Sequence, residues 1–191
     1  MYRVPTANPA HFEMTSQSLS RPFIAIALIA LLGACATTPS DDTLIRESEA
    51  TVARFVERDP GIQRWVDQAH GYAVFPDIGK GGFGIGGAFG RGIVFEQERP
   101  VGRTTVSQGT IGAQIGAQSY SQIIFFRDER ALQTFQRENF EFSAQATAVA
   151  ATTGAAATTS YERGVAVFIM SRGGLMAEAT VGGQRFRYTN L

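Results

Sequence analysis

The stretch from Gly71 to Phe95, GYAVFPDIGKGGFGIGGAFGRGIVF, constrains this chain more than any other because its side chains alternate between two unlike faces. One face carries Phe83, Ile85, Phe89, Ile93 and Phe95 with Gly87 and Arg91 interposed. The other carries Gly82, Gly84, Gly86, Ala88, Gly90 and Gly92 before Val94. A period of two is that of a β-strand, not a helix. Glycine weakens a strand interior, so a run of it along one face implies that another backbone or a ligand approaches closely there.

Upstream, Phe23 to Ala34 read FIAIALIALLGA, preceded by Arg21 and followed at once by Cys35. The run is shorter than the roughly 20 apolar residues of a membrane-spanning helix and fits the apolar core of a secretory signal. Leu32-Gly33-Ala34-Cys35 resembles the lipobox of bacterial lipoproteins, in which the cysteine is lipidated and becomes the mature N-terminus. Lipidation also accounts for a lone thiol in an exported chain. The expectation is a signal peptide over 1–34, starting in truth at Met14, a lipidated terminus and tether over 35–42, and a single domain over 43–191. Ala36 after the cysteine resembles the enterobacterial pattern for outer-membrane delivery, so the expected location is the cell envelope, lipid-anchored and facing the periplasm.

Lys plus Arg and Asp plus Glu are both 17, which leaves no global field to draw nucleic acid. Any anion binding must be local. Lys80 is the only lysine, and arginine forks suit planar contacts to phosphate or carboxylate.

Thr43 to Arg58 place Leu44, Ser48, Val52, Phe55 and Val56 at helical spacing, and the balance of acids and bases opposite them favours packing on a sheet over lying on a membrane. Asp59, Pro60 and Gly61 break this helix, and a second short one carries Ile62, Trp65, Val66 and Ala69. Glu96 to Arg103 read as a loop or hairpin connection, and Thr104 to Arg127 as further strand. Asp128 is a plausible N-cap for a helix holding Ala131, Leu132 and Phe135. Ser143 to Ser160, mostly Ala and Thr, fits either a loop or a thin strand. GVAVFIMSRGGLMAEATVGGQRFRY gives two or three more strands, broken at 172–174 and 182–183. The fold class is therefore α+β: a strongly twisted, barrel-like antiparallel sheet with N-terminal helices and one internal helix packed on it.

Gly71 to Gly92, GTIGAQIGAQS from Gly109 to Ser119, and SRGGLMAEATVGG from Ser171 to Gly183 resemble, in order, the SYLF domain. The resemblance runs from about Thr43 to the C-terminus. It implies a lipid-binding module, with phosphoinositides the ligands of eukaryotic relatives. Actin binding, also known in the family, is not expected in a bacterial envelope.

No pattern for catalysis stands out. Gly82 to Gly87 formally match G-x-G-x-x-G, but that motif must end a strand and open a helix, whereas here the alternation continues. Lys80 is followed by glycine, which rules out a P-loop. His70 is the only histidine after the signal and is better read as a helix C-terminal residue than as a base. The residues suggest no metal cluster, cofactor or carboxylate pair, so no enzyme is expected. Lys80 in the IGKGG turn and Arg91 on the bulky face of the strand, with Arg172 in the similar SRGG turn, are the candidates for phosphate contact, since backbone N–H groups in glycine turns can form anion nests. The expected function is non-enzymatic binding of membrane phospholipids, anionic or phosphoinositide-like. The alternative is an envelope scaffold that docks a protein partner and owes its membrane affinity to the acyl chains alone.

Overall fold

The structure, a computed structural model, describes residues 40–137, 140–142, 147–171, 179–180 and 183–191, with the backbone alone over 82–85, 110–117, 147 and 179–180. Ser40 caps the first helix, α1 (Asp41–Arg58), its hydroxyl accepting from the Thr43 amide at 3.3 Å. Asp41 and Asp42 in the first turn and Arg58 in the last complement the helix dipole. α1 buries Leu44, Ser48, Thr51 and Phe55, while Val52 and Val56 are only partly covered. The apolar stripe thus meets the sheet, as expected, though rotated slightly from the sequence reading. α2 (Ile62–Gln68) follows and buries Ile62, Trp65 and Val66.

The glycine segment lies in one strand, β1 (Gly71–Glu96), which pairs antiparallel with β2 (Arg99–Phe126). Their 26 and 28 residues far exceed the usual strand of about 3–10 residues, so the ribbon must bend. Its register shifts at Phe75/Ile78, Phe83/Ile85 and Val94/Phe95. Pro76, which has no amide to give a ladder, sits in the first of these. Its carbonyl accepts the buried Ser121 hydroxyl at 2.7 Å.

Bending brings the two halves of β1 against each other. A Cβ on Gly71 would lie 2.6 Å from the Phe95 carbonyl oxygen, and one on Gly90 would lie 2.7 Å from Ile78 Cγ1 and 2.9 Å from the Asp77 carbonyl oxygen. On Gly92 it would collide with the Val74 carbonyl oxygen. What approaches Gly90 and Gly92 is therefore the chain's own backbone.

The connection between β1 and β2 is tighter than the sequence suggested. It turns on Gln97 and Glu98 alone, both at positive φ (47° and 63°), and Pro100 and Gly102 already belong to β2. Positive φ at both central positions matches strand twist, but Gln and Glu do not advertise such a turn. Tyr188 lies over Gly102, leaving no room for a Cβ there.

β2 organises the rest. One edge carries β1, and the other carries β7 (Arg185–Asn190) along residues 102–107 and β5 (Val165–Ser171) along residues 120–126. Between them in the chain come α3 (Glu129–Gln136), β3 (Phe140–Glu141), β4 (Thr147–Ala150) and α4 (Ala155–Thr158), and β6 (Ala179–Thr180) follows β5. The 143–160 region is thus part strand and part helix among its described residues. The described strands form a curled, half-barrel sheet of order β3-β7-β2-β5-β4-β6, with β1 on the far edge of β2. All pairs are antiparallel except β4 with β5.

Both faces are covered where YAVF, IIFF and IVF lie, which is why those runs are continuously apolar. On one side Phe75, Ile78, Ile124, Phe126 and Phe186 pack with Leu132 and Phe135 of α3, whose N-cap Asp128 accepts from the Ala131 amide at 3.0 Å. On the other, Tyr72, Val74, Ile93, Phe95, Phe125 and Phe168 pack with α1 and α2. Gln122 and Gln184, both fully buried, exchange amide hydrogen bonds at 3.1 and 3.2 Å, and Gln184 also donates to the Tyr120 hydroxyl at 3.0 Å. Both cores lie within Pro39–Leu191, a compact unit in itself.

Asp59, just past α1, is 2% exposed and fastens the helices to the α4 region. Its carboxylate accepts from the Ala156 amide at 2.8 Å and the Gly61 amide at 3.1 Å, while Trp65 donates its indole N–H to the Ala156 carbonyl at 3.1 Å. Burial raises the Asp59 pKa, but the amides of Ala156, Gly61, Gly154 and Ala155 outweigh it and hold the carboxyl below the usual range. A depressed folded pKa stabilises the fold above the unfolded carboxylate pKa, near 3.9, and this contribution is lost as pH falls through the folded value. Asp59→Ala should cost about 1–3 kcal/mol in urea unfolding at neutral pH and flatten the acid limb of the stability profile. Gly92→Ala should cost about 1–3 kcal/mol through overpacking, whereas Gly109→Ala, with open space around it, should be near neutral in the same assay.

Candidate functional site

Directly opposite residues in an antiparallel ladder point to the same face, with neighbouring strands about 4.8 Å apart. The β1–β2–β7 register therefore lines up Phe89, Ser107 and Arg185 in one row, Arg91, Thr105 and Arg187 in the next, and Ile93, Arg103 and Thr189 in a third. This is the side of the sheet on which α1 and α2 pack. Ile93 is fully buried there, and the Arg103 guanidinium reaches Asp41 of α1 at 3.4 Å. Beyond the edge of α1 the surface opens: Phe89 is 54% exposed, and Ser107, Arg185 and Arg187 are exposed.

The arginines here are incompletely neutralised. Arg185 donates to Glu141 at 2.9 Å, a well-exposed pair of little energetic weight. Arg187 makes no ion pair among the described residues. Arg91 Nη1 is buried with no hydrogen-bond partner among the described residues. A buried donor left unpaired on a charged group is costly, so such a nitrogen invites an acceptor. Arginine forks flanking Thr105, beside an exposed aromatic ring, can hold an anionic oxygen group and seat an apolar edge next to it. The cluster offers guanidinium donors and a hydroxyl, a chemistry suited to binding anions.

Of the residues expected from sequence, Arg91 is in this cluster. Lys80 is not: it is half-buried in the first half of β1, paired with Gln118 in the ladder and not in a turn. Cys35 and Arg172 lie outside the described residues. His70 follows α2 and pairs its Nε2 with Glu96 at 2.9 Å, in keeping with a helix C-terminal role. Arg103, Arg185 and Arg187 were not singled out. The alternation in QRFRY was visible, but only the register sets it beside Arg91.

The family model described as Ysc84, Las17-binding protein actin regulator, matches residues 107–190, from within β2 to the end of β7. Beta cell expansion factor A of Aeromonas veronii is 26% identical over 142 residues, which cover 73% of this chain and 53% of that protein. The chain thus spans about half the length of this relative. Residues 107–190 are thus similar to the Ysc84 family, and Beta cell expansion factor A is a distant bacterial relative.

Proposed function

We propose that this protein is a non-enzymatic phospholipid-binding module of a lipid-anchored envelope protein. In this reading Cys35 carries the acyl anchor at the periplasmic face of the outer membrane. The folded domain meets anionic head groups through Arg91, Arg187, Arg103 and Arg185. Phe89 enters the interfacial layer, where aromatic rings are favoured. Lys80 and Arg172 are further candidate cations for head groups in this reading.

The observation that carries the reading is the Arg91–Thr105–Arg187 row, with its unpartnered Nη1, beside an exposed phenylalanine on a chain of zero net charge. A local basic cluster without a global field suits a surface ligand better than a long polyanion. The family model's own description names binding to a protein, Las17, which favours a second reading of the same face as a protein-docking surface.

Co-sedimentation of residues 39–191 with vesicles separates the two. The lipid reading requires binding to anionic but not zwitterionic vesicles, weakened by salt. Arg91→Ala with Arg187→Ala should reduce it about 30-fold, at about 1 kcal/mol per basic residue near the surface. Lys80→Ala alone should reduce it by a smaller factor. Unchanged binding in the double variant would reject the site, and no binding to either vesicle would favour the protein-docking reading.

A further inference from the structure

On the other side of the sheet, where α3 packs, a cavity of about 720 Å³ opens between α3, β3 and the start of β5. Its walls include Ala131, Phe140, Phe142, Val149, Val165 and Val167, and its rim carries Arg127, Arg130 and Arg163. The volume lies within the range of about 300–1,000 Å³ typical of small-molecule sites. Asp128, Glu141 and Glu162 also line it, so what the rim can offer an amphiphile's head depends on which arginines these acids leave unpaired.

The rim is built and not incidental. Glu162 and Val165 exchange backbone hydrogen bonds at 2.8 and 3.0 Å around a tight turn of Arg163 (φ 51°) and Gly164 (φ 85°). Such turns favour Asn, Asp or Gly at the position Arg163 occupies, because a side chain strains the left-handed backbone. Here the strained position instead holds a guanidinium at the mouth of a cavity, and strain of this kind points towards function. The turn is also fixed in place: the Arg127 amide donates to the Gly164 carbonyl at 2.9 Å, tying it to the start of α3.

The charges at the mouth do not simply cancel. Asp128 is engaged by the Ala131 amide and by Arg127, both at 3.0 Å, and Glu141 is engaged by Arg185 at 2.9 Å. Arg130 and Arg163 make no ion pair among the described residues; Arg130 lies within electrostatic reach of Asp128, and Glu162 is the acid of the lining left without an ion pair there. We infer that the cavity between α3 and β5 binds one amphiphile at a time, an anionic head on Arg130 and Arg163 with a single alkyl chain along Phe140, Phe142 and Val167. The head is a carboxylate or a phosphate monoester, as in a fatty acid or a lysophospholipid. This site is separate from the arginine rows, which face the opposite side of the sheet, and does not depend on their role.

The test is a titration of the full-length chain with cis-parinarate, a fluorescent fatty acid, followed by displacement with oleate, oleoyl lysophosphatidate or oleyl alcohol. Saturable probe binding is expected, with one of the two anionic competitors at least about tenfold stronger than the uncharged alcohol, as loss of a charge-assisted contact implies. Whichever anion competes better identifies the source of the head group. Arg130→Ala with Arg163→Gly should weaken the probe about tenfold or more. These substitutions place a strong helix former in α3 and a glycine at positive φ, so the melting temperature should not fall. Non-saturable binding, equal competition by the alcohol, or wild-type affinity in the Arg130/Arg163 variant would overturn the inference.

Discussion

The close approach of β1 to itself is the constraint on which the rest of the molecule depends. Gly90 and Gly92 let the second half of the strand lie against the backbone of Val74 and Asp77, at a separation that no side chain would permit. Without that contact a 26-residue strand would have to run straight or break. With it, the β1–β2 ribbon curls, and the free edge of β2 faces different partners at its two ends, β7 near the start and β5 near the finish. Helices then close both faces, and polar groups buried at Pro76, Gln122 and Gln184 find partners. The Pro76 carbonyl accepts from the Ser121 hydroxyl, and Gln122 and Gln184 exchange amide hydrogen bonds.

That architecture explains how a chain of zero net charge gathers a local cluster of arginines. Arg91, Arg103, Arg185 and Arg187 come from three strands and share a face only through register. Asp41 and Glu141 pair with Arg103 and Arg185, while other acids are spent elsewhere, Asp59 on backbone amides and Glu96 on His70, which leaves Arg91 and Arg187 without an ion pair among the described residues. α1 covers one end of the face and leaves the other open around Phe89. The fold thus sets both the charge and its exposure.

Much of the fold was legible because its strongest signals are periodic or chemically specific. Alternating glycines announced a strand with a close neighbour, Asp128 announced a cap, and the Leu44 stripe announced a helix packed on the sheet. The rest depends on relations between distant residues. A turn made by Gln97 and Glu98 carries no turn residue to read, so Pro100 and Gly102 drew the loop wider than it is. The alanine-rich stretch before Ser160 holds both β4 and α4, which side chains so alike do not distinguish. Asp59 sits next to Pro60 and looked like a helix breaker alone, when it also anchors Ala156. Arg91 was found from its own strand, but Arg187 needed β7 to be laid beside β2.

Replacing Phe89 with tryptophan tests most directly whether this face meets the membrane. Trp65, the only native tryptophan, is buried and serves as an internal constant. The account predicts that anionic vesicles shift the Phe89→Trp emission of residues 39–191 to the blue and shield it from acrylamide, that salt reverses both effects, and that zwitterionic vesicles do neither. An emission unchanged while the protein sediments with anionic vesicles would contradict it and place the membrane contact on another surface.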